Sequence, residues 1–286
     1  MDSITLKPRA KINVSLDVLR KLENGYHELE TVMQTLKFHD DLFIKKTSGG
    51  EVKFETKGLS VPNDEGNLVL KAVKLLKNKF DTGGLYIELF KRIPAAAGLG
   101  GGSSNAAAAL RGINKLCALN LNDEEIKDLG LKIGADVPFF IKGGTFLAQG
   151  IGERLSELPK HPFTHVLVCK PGFDVSTKDV YENLQIERIT KRPDTGKIIE
   201  ALKLGDIRKI AANSANALEF VTEKFHPQIT EIKALMKKHG AFFAQMSGSG
   251  PSVFGYFEKK QNGIAAAAAL KKSELCAGGI FLTSVF

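Results

Sequence analysis

Cysteine is scarce. Cys117, Cys169 and Cys276 are the only three in 286 residues, and no two stand in the CxxC spacing that suits zinc or dithiol chemistry. Odd in number and widely separated, they read as three small buried side chains in a reduced, cytoplasmic setting. Proline is also sparse, at 10 residues against 28 glycines, and charged residues make up 25%; neither a collagen-like nor a disordered chain has that composition. Long apolar runs are missing too. The start, MDSITLKPRAKINVSL, puts Asp2 and Lys7 where a secretory leader needs an unbroken apolar core. The late run 264–270 is mostly alanine and far below the roughly 20 residues that cross a bilayer. A protein with no membrane span and no export leader is expected.

Charge of one sign is in modest excess. The formal net charge of +8 suits an anionic partner, but the basic residues come as scattered pairs such as Lys45/Lys46 and Lys237/Lys238 rather than as blocks. A nucleotide substrate and a nucleic-acid patch would draw on the same field.

What is present is an ordered alternation of strand and helix patterns. Residues 12–19 alternate apolar and polar, Asn24-Gly25 supplies a hairpin turn, and 28–38 resumes an extended pattern. A second turn at 48–50 joins strands 42–47 and 51–56; 67–80 carries apolar residues at helical spacing, and 85–90 returns to strand. After it come a glycine-rich stretch and an alanine-rich helix to 119, then a helix that opens at Asn122 with Glu125 three residues on and stops at Gly134. From Pro162 the pattern restarts with strand 164–169, helices within 177–184, 196–204, 206–221 and 227–239, strands 241–246 and 252–257, another alanine-rich helix, and a final strand 280–286. The division falls between residues 1–160 and 161–286. No repeat or low-complexity linker separates the halves.

The segment Pro94-Ala95-Ala96-Ala97-Gly98-Leu99-Gly100-Gly101-Gly102-Ser103-Ser104-Asn105 holds the most explicit chemistry. Consecutive glycines leave no Cβ in the way of a ligand, and the helix behind them adds unpaired N–H donors and about half a positive charge. Phosphate is the anion this arrangement fits, although a tight turn for helix packing would use the same residues. The stretch lacks the GK[ST] ending of a P-loop, has Ser103 where GxGxxG needs its last glycine, and follows its serines with Asn105 rather than the glycine of a nucleophile elbow.

Together with Pro8-Arg9-Ala10-Lys11-Ile12-Asn13, Gly134-Ala135-Asp136-Val137-Pro138-Phe139-Phe140 and the run 246–255, MSGSGPSVFG, this segment resembles the GHMP kinases, with the motifs in that family's order from Lys7 to Gly255. The resemblance implies an α+β fold of two lobes, a ribosomal-protein-like βαβ N-terminal lobe and a ferredoxin-like C-terminal lobe, with the site in the cleft between them. AKIN at 10–13, GYHEL at 25–29, GLGGGSSN at 98–105 and GADVPFF at 134–140 narrow it further. They imply ATP-dependent phosphorylation of the 2-hydroxyl of 4-diphosphocytidyl-2-C-methyl-D-erythritol in the non-mevalonate isoprenoid pathway, with no nucleic-acid or membrane partner.

By the same resemblance Asp136 is the general base and Lys11 lies beside it, easing ionisation of both the base and the attacking hydroxyl. Taken alone, Asp136 also suits a turn and Lys11 an exposed strand. Tyr26 and Tyr181 are assigned to stacking on the cytosine and His27 to hydrogen bonds with it, and Asn13 aligns the hydroxyl. Asn67 and Lys91 are assigned to adenine, though Asn67 equally suits a helix cap; Pro94 through Ser104 wrap the triphosphate. Ser247–Ser249 offers small residues and free amides, or simply a strand-connecting turn. Mevalonate-type members carry GLGSS, whereas Gly101 and Gly102 stand in those places here, so the usual serine contact to Mg²⁺ is not carried over. The metal is expected on phosphate oxygens and water. The competing readings are another kinase of the superfamily, such as a homoserine kinase, and an RNA-binding module.

Overall fold

The computed structural model describes residues 2–286. Along the chain run β1 (Ser3–Leu6), β2 (Arg9–Lys21), β3 (His27–His39), β4 (Asp41–Thr47), β5 (Val52–Gly58), α1 (Leu68–Lys77), β6 (Gly84–Lys91), α2 (Gly101–Cys117), α3 (Asp123–Leu131), α4 (Val137–Lys142), β7 (Thr145–Gly150) and β8 (Arg154–Glu157). They are followed by β9 (His165–Lys170), α5 (Thr177–Glu182), α6 (Thr195–Leu204), α7 (Ile207–Asn213), α8 (Glu219–Phe225), α9 (Gln228–Lys238), β10 (Phe243–Met246), β11 (Val253–Phe257), α10 (Lys260–Lys272) and β12 (Gly279–Ser284).

The chain forms two compact units that interleave. One comprises the chain up to Ala10 with His39–Ala95 and Gly100–Gly143; the other comprises Lys11–Phe38, Ala96–Leu99 and Gly144–Phe286. The sequence reading divides the chain once, at 160/161. Pairing across that cut accounts for the difference: Leu16 of β2 bridges Asn216 in parallel, so early residues join the same unit as late ones. Within that unit β3 lies antiparallel to β7, with Leu29 opposite Gly150 and Gln34 opposite Thr145.

In the first unit the sheet order is β1-β4-β6-β5. The turn at 48–50 does not close a hairpin between β4 and β5, as the pattern suggests. Instead β6 sits between them, antiparallel to β4 and parallel to β5, with α1 as the crossover that a parallel pair requires. Leu42, Ile44, Leu85 and Ile87 from the sheet share one buried cluster with Val69 and Leu76 of α1 and Ala106, Ala109 and Leu110 of α2. Close approach of α2 depends on Gly112, where a Cβ would come within 2.8 Å of both Ile44 Cδ1 and Leu6 Cδ1. The capping box expected at Asn122 and Glu125 is present in full.

The second unit holds two sheets, β2-β3-β7-β8 and β10-β11-β9-β12. Strands β7 and β8 had no counterpart in the sequence reading. The helical stretch expected within 206–221 is interrupted after α7, because the backbone between α7 and α8 leaves the helical ladder to pair with β2: Leu16 N–H donates to Ala215 O at 2.9 Å and Ala217 N–H to Leu16 O at 2.8 Å. Cys169 and Cys276, read as separate core thiols, form a disulfide with Cα atoms 5.8 Å apart. Their separation of 107 residues hides the pairing in the sequence, and adjacency of β12 to β9 produces it. Cys117 is free, and burial raises its thiol pKa. Among the described residues no helix is long and apolar enough to cross a membrane.

Candidate active site

Strand β2 is the clearest departure from a half-exposed strand. Its alternation puts Ile12, Val14, Leu16 and Val18 on one face and Lys11, Asn13, Ser15 and Asp17 on the other, yet every one of these is buried. Covered polar side chains need partners, and these have them. Lys11 Nζ donates to Asn13 Oδ1 at 2.6 Å, Asn13 Nδ2 donates to Thr31 Oγ1 at 2.8 Å, and the Thr31 hydroxyl donates to Ser15 O at 2.6 Å.

The same unit carries part of the glycine-rich segment. Leu99 O accepts from the backbone N–H of Lys11 at 2.9 Å. The Ser247 hydroxyl donates to Gly98 O at 3.0 Å and accepts from Asn13 N–H at 3.1 Å. Gly98 has φ +70°, and a Cβ there would run into the carbonyl of Ser247, so only glycine allows both the conformation and the approach. The loop after β10 is held in turn by Asn216, whose Nδ2 donates to Met246 O at 2.9 Å and Gly248 O at 2.8 Å. Ser247 is therefore more than a turn residue, and Asn216 and Thr31 were absent from the sequence reading.

His27 and Tyr181, from β3 and α5, stack with ring centroids 5.0 Å apart and planes 25° apart. Burial, and then the charge of Lys21, lower the pKa of His27. Tyr26 is 61% exposed, so the ring facing Tyr181 in this structure is His27. Tyr181 packs from α5 against the apolar core of its unit, and its helix starts at Ser176, whose hydroxyl accepts from Asp179 N–H at 3.2 Å.

In the first unit, α2 begins directly from glycine. Gly100 is its N-cap, in the left-handed region at φ +68°, and no side chain caps this end. The first-turn amides thus lack the intramolecular acceptor that Ser, Thr or Asp supplies elsewhere. By contrast α1 is closed: Asn67 Oδ1 accepts from Val69 N–H at 2.9 Å and its Nδ2 donates to Pro62 O at 2.7 Å, the capping alternative for that residue. Lys91 is only 2% exposed, with its ammonium 2.5 Å from Asp40 Oδ2. Burial lowers the Lys91 pKa and Asp40 opposes the shift.

Asp136 is the N-cap residue of α4, half-buried, with φ −80° and ψ −14°, and its carboxylate does not cap the helix. The Val-Pro connection expected after it is the first turn of that helix. Helix α4 is fixed by its buried residues Val137, Phe139 and Ile141 and by Arg111 of α2, which donates to Ile141 O at 2.6 Å. Gly130 lets α3 come close, since a Cβ there would stand 2.9 Å from Val137 Cγ1. Among the described residues no three His, Cys, Asp or Glu side chains group as a metal site.

An uncapped glycine start to a long helix, a carboxylate on a rigid short helix, and a buried lysine–asparagine pair are parts that a phosphoryl-transfer enzyme uses. The chain matches the family described as GHMP kinases N terminal domain over residues 67–144 and GHMP kinases C terminal over 198–274. It is 48% identical over 274 residues to 4-diphosphocytidyl-2-C-methyl-D-erythritol kinase of Clostridioides difficile (strain 630), covering 95% of this chain and 93% of that one. With the enzyme of the same name from Acetivibrio thermocellus it shares 45% identity, covering 96% and 97%. A crystal structure of 4-(cytidine 5'-diphospho)-2C-methyl-D-erythritol kinase superimposes with a TM-score of 0.84 at 33% identity over 99% of both chains. Mevalonate kinase of L. major, at 19% identity and a TM-score of 0.77, shares the fold. Two domain matches and relatives this similar over nearly their whole length leave one conclusion: the chain belongs to the GHMP kinase family.

Proposed function

We propose that this chain transfers the γ-phosphoryl group of ATP to the 2-hydroxyl of 4-diphosphocytidyl-2-C-methyl-D-erythritol, as the names of its relatives describe for those enzymes. The observation that carries the phosphate side of this reading is the uncapped start of α2 at Gly100, which leaves backbone donors for an anion at the positive end of the helix. The triphosphate lies along the residues from Pro94 to Ser104. Asn67 and Lys91, whose polar tips are bonded within the protein, are assigned to the adenine end.

In the transfer step the substrate oxygen attacks the γ-phosphorus, its proton passes to the Asp136 carboxylate, and ADP leaves. Lys11 supplies positive charge to the developing alkoxide, and Asn13, already bonded to Lys11, orients the hydroxyl. His27, Tyr26 and Tyr181 receive the cytosine. Mg²⁺ arriving with ATP would supply charge neutralisation to the phosphates, and phosphate oxygens and water rather than side chains would hold it.

The test is release of ADP with and without the diphosphocytidyl alcohol. Acceptor-dependent turnover is expected. ADP release that ignores the alcohol, or none at all with it, overturns the reading.

A further inference from the structure

Asp40, between β3 and β4, is fully buried at 0% exposure. Its Oδ1 accepts from the backbone N–H of Arg92 at 2.6 Å and of Ile93 at 2.8 Å, and its Oδ2 accepts from Lys91 Nζ at 2.5 Å and Asn105 Nδ2 at 2.8 Å. Lys91 and Asn105 are each 2% exposed. A carboxylate has about four acceptor positions, so this one is saturated. Burying such a pair is costly, and apolar side chains of similar volume often serve stability as well or better. The position of the pair suggests another purpose.

Residues 91–93 form the end of β6 and the approach to the glycine-rich segment, while Asn105 belongs to the opening of α2. One carboxylate therefore ties the strand that enters the segment to the helix that leaves it. The ammonium lies directly under the first residue of that helix: a Cβ on Gly101 would stand 2.9 Å from Lys91 Nζ and 2.8 Å from Ile93 Cγ2. Because no side chain caps α2 from outside, its start is fixed from beneath, which leaves the amides available. A bonded Asp40 also compensates a cation that would otherwise sit unpaired beside the positive end of a helix.

We propose that Asp40 is a positioning residue for ATP: through Lys91 and Asn105 it sets the orientation of the first turn of α2, and with it the backbone donors that receive the nucleotide phosphates. This rests on the reading of that turn as the phosphate site.

The experiment compares wild type, Asp40→Asn and Asn105→Ala as full-length proteins. It measures MgATP affinity by calorimetry and KM for each of the two substrates, after far-UV circular dichroism has established folding. Asp40→Asn is expected to weaken ATP binding and raise the ATP KM by about tenfold or more, while the KM of the diphosphocytidyl alcohol moves by less than about twofold. Asn105→Ala, which removes one bond of the set, should do the same to a smaller degree. If Asp40→Asn does not fold, Asn105→Ala decides alone: a selective rise in ATP KM supports the role. Folded variants that bind ATP as wild type does, or that raise both KM values equally, overturn it. A wild type that binds no ATP removes the phosphate-site reading itself and this inference with it.

Discussion

Tyr181 lies over His27 with 5.0 Å between ring centroids and 25° between planes, a preformed aromatic surface joining β3 to α5. A base that stacks on such a surface gains about 1–3 kcal/mol. Tyr181→Ala is expected to raise the KM of the diphosphocytidyl substrate by about tenfold to a hundredfold and to leave the ATP KM within about twofold. Steady-state kinetics with each substrate varied in turn checks this, and an equal effect on both counts against the assignment.

Asp136 heads α4 without spending its carboxylate on the helix. Asp136→Asn keeps the size and removes the carboxylate proposed as the base, so kcat is expected to fall by on the order of 10² to 10⁴. ATP affinity, measured by titration, should stay near the wild-type value. A variant with ordinary turnover rejects the role.

Gly98→Ala combines two penalties: a left-handed backbone at φ +70° and a Cβ directed at a backbone carbonyl, Ser247 O, which cannot rotate away. The conformation alone costs about 1–2 kcal/mol. Urea unfolding should show a loss of at least that size, with a weakened ATP KM in the folded protein. An unchanged midpoint would mean that the loop relaxes freely.

His161 sits in the interior of its unit, where burial lowers its pKa from 6.5 to about 4. Its Nδ1 lies 2.8 Å from Pro162 O and so donates to it, and its Nε2 lies 3.3 Å from the Tyr256 hydroxyl. The folded pKa lies below the unfolded one, so the unfolded chain binds the extra proton between them. The contribution is therefore complete above about pH 6.5 and is lost as pH falls toward 4, by about 3 kcal/mol at most. Denaturant unfolding from pH 7 to pH 4 should show this loss in wild type and a shallower dependence in His161→Gln; equal slopes would reject it.

The features legible in the sequence are those whose cause is local. Asn122 and Glu125 satisfy each other three residues apart, so the capping box could be read directly and is present; the helix starting after Asn67 is the same case. What was not legible depends on distant partners. The donors to Asp40 lie 51 to 65 positions away, and in the sequence it is one of two adjacent aspartates before a strand. Asn216 breaks a helix only because β2 lies beside it to take its neighbours' hydrogen bonds. The alternation of β2 correctly predicts two faces, but a polar face reads as exposed until the structure covers it, as happens to Lys11, Asn13, Ser15 and Asp17. Motif resemblance singles out Lys11 and Asn13, while the buried polar row they belong to is a signal of a different kind.

The interleaving of the two units also has a consequence for biogenesis. On a ribosome β2 and β3 emerge early, but the partner of β3, strand β7, is completed only at Gly150. At about 5–20 residues per second, the roughly 100 intervening residues take several seconds or more to appear. Throughout that interval the nascent hairpin presents an unpaired strand edge, which other chains could pair with.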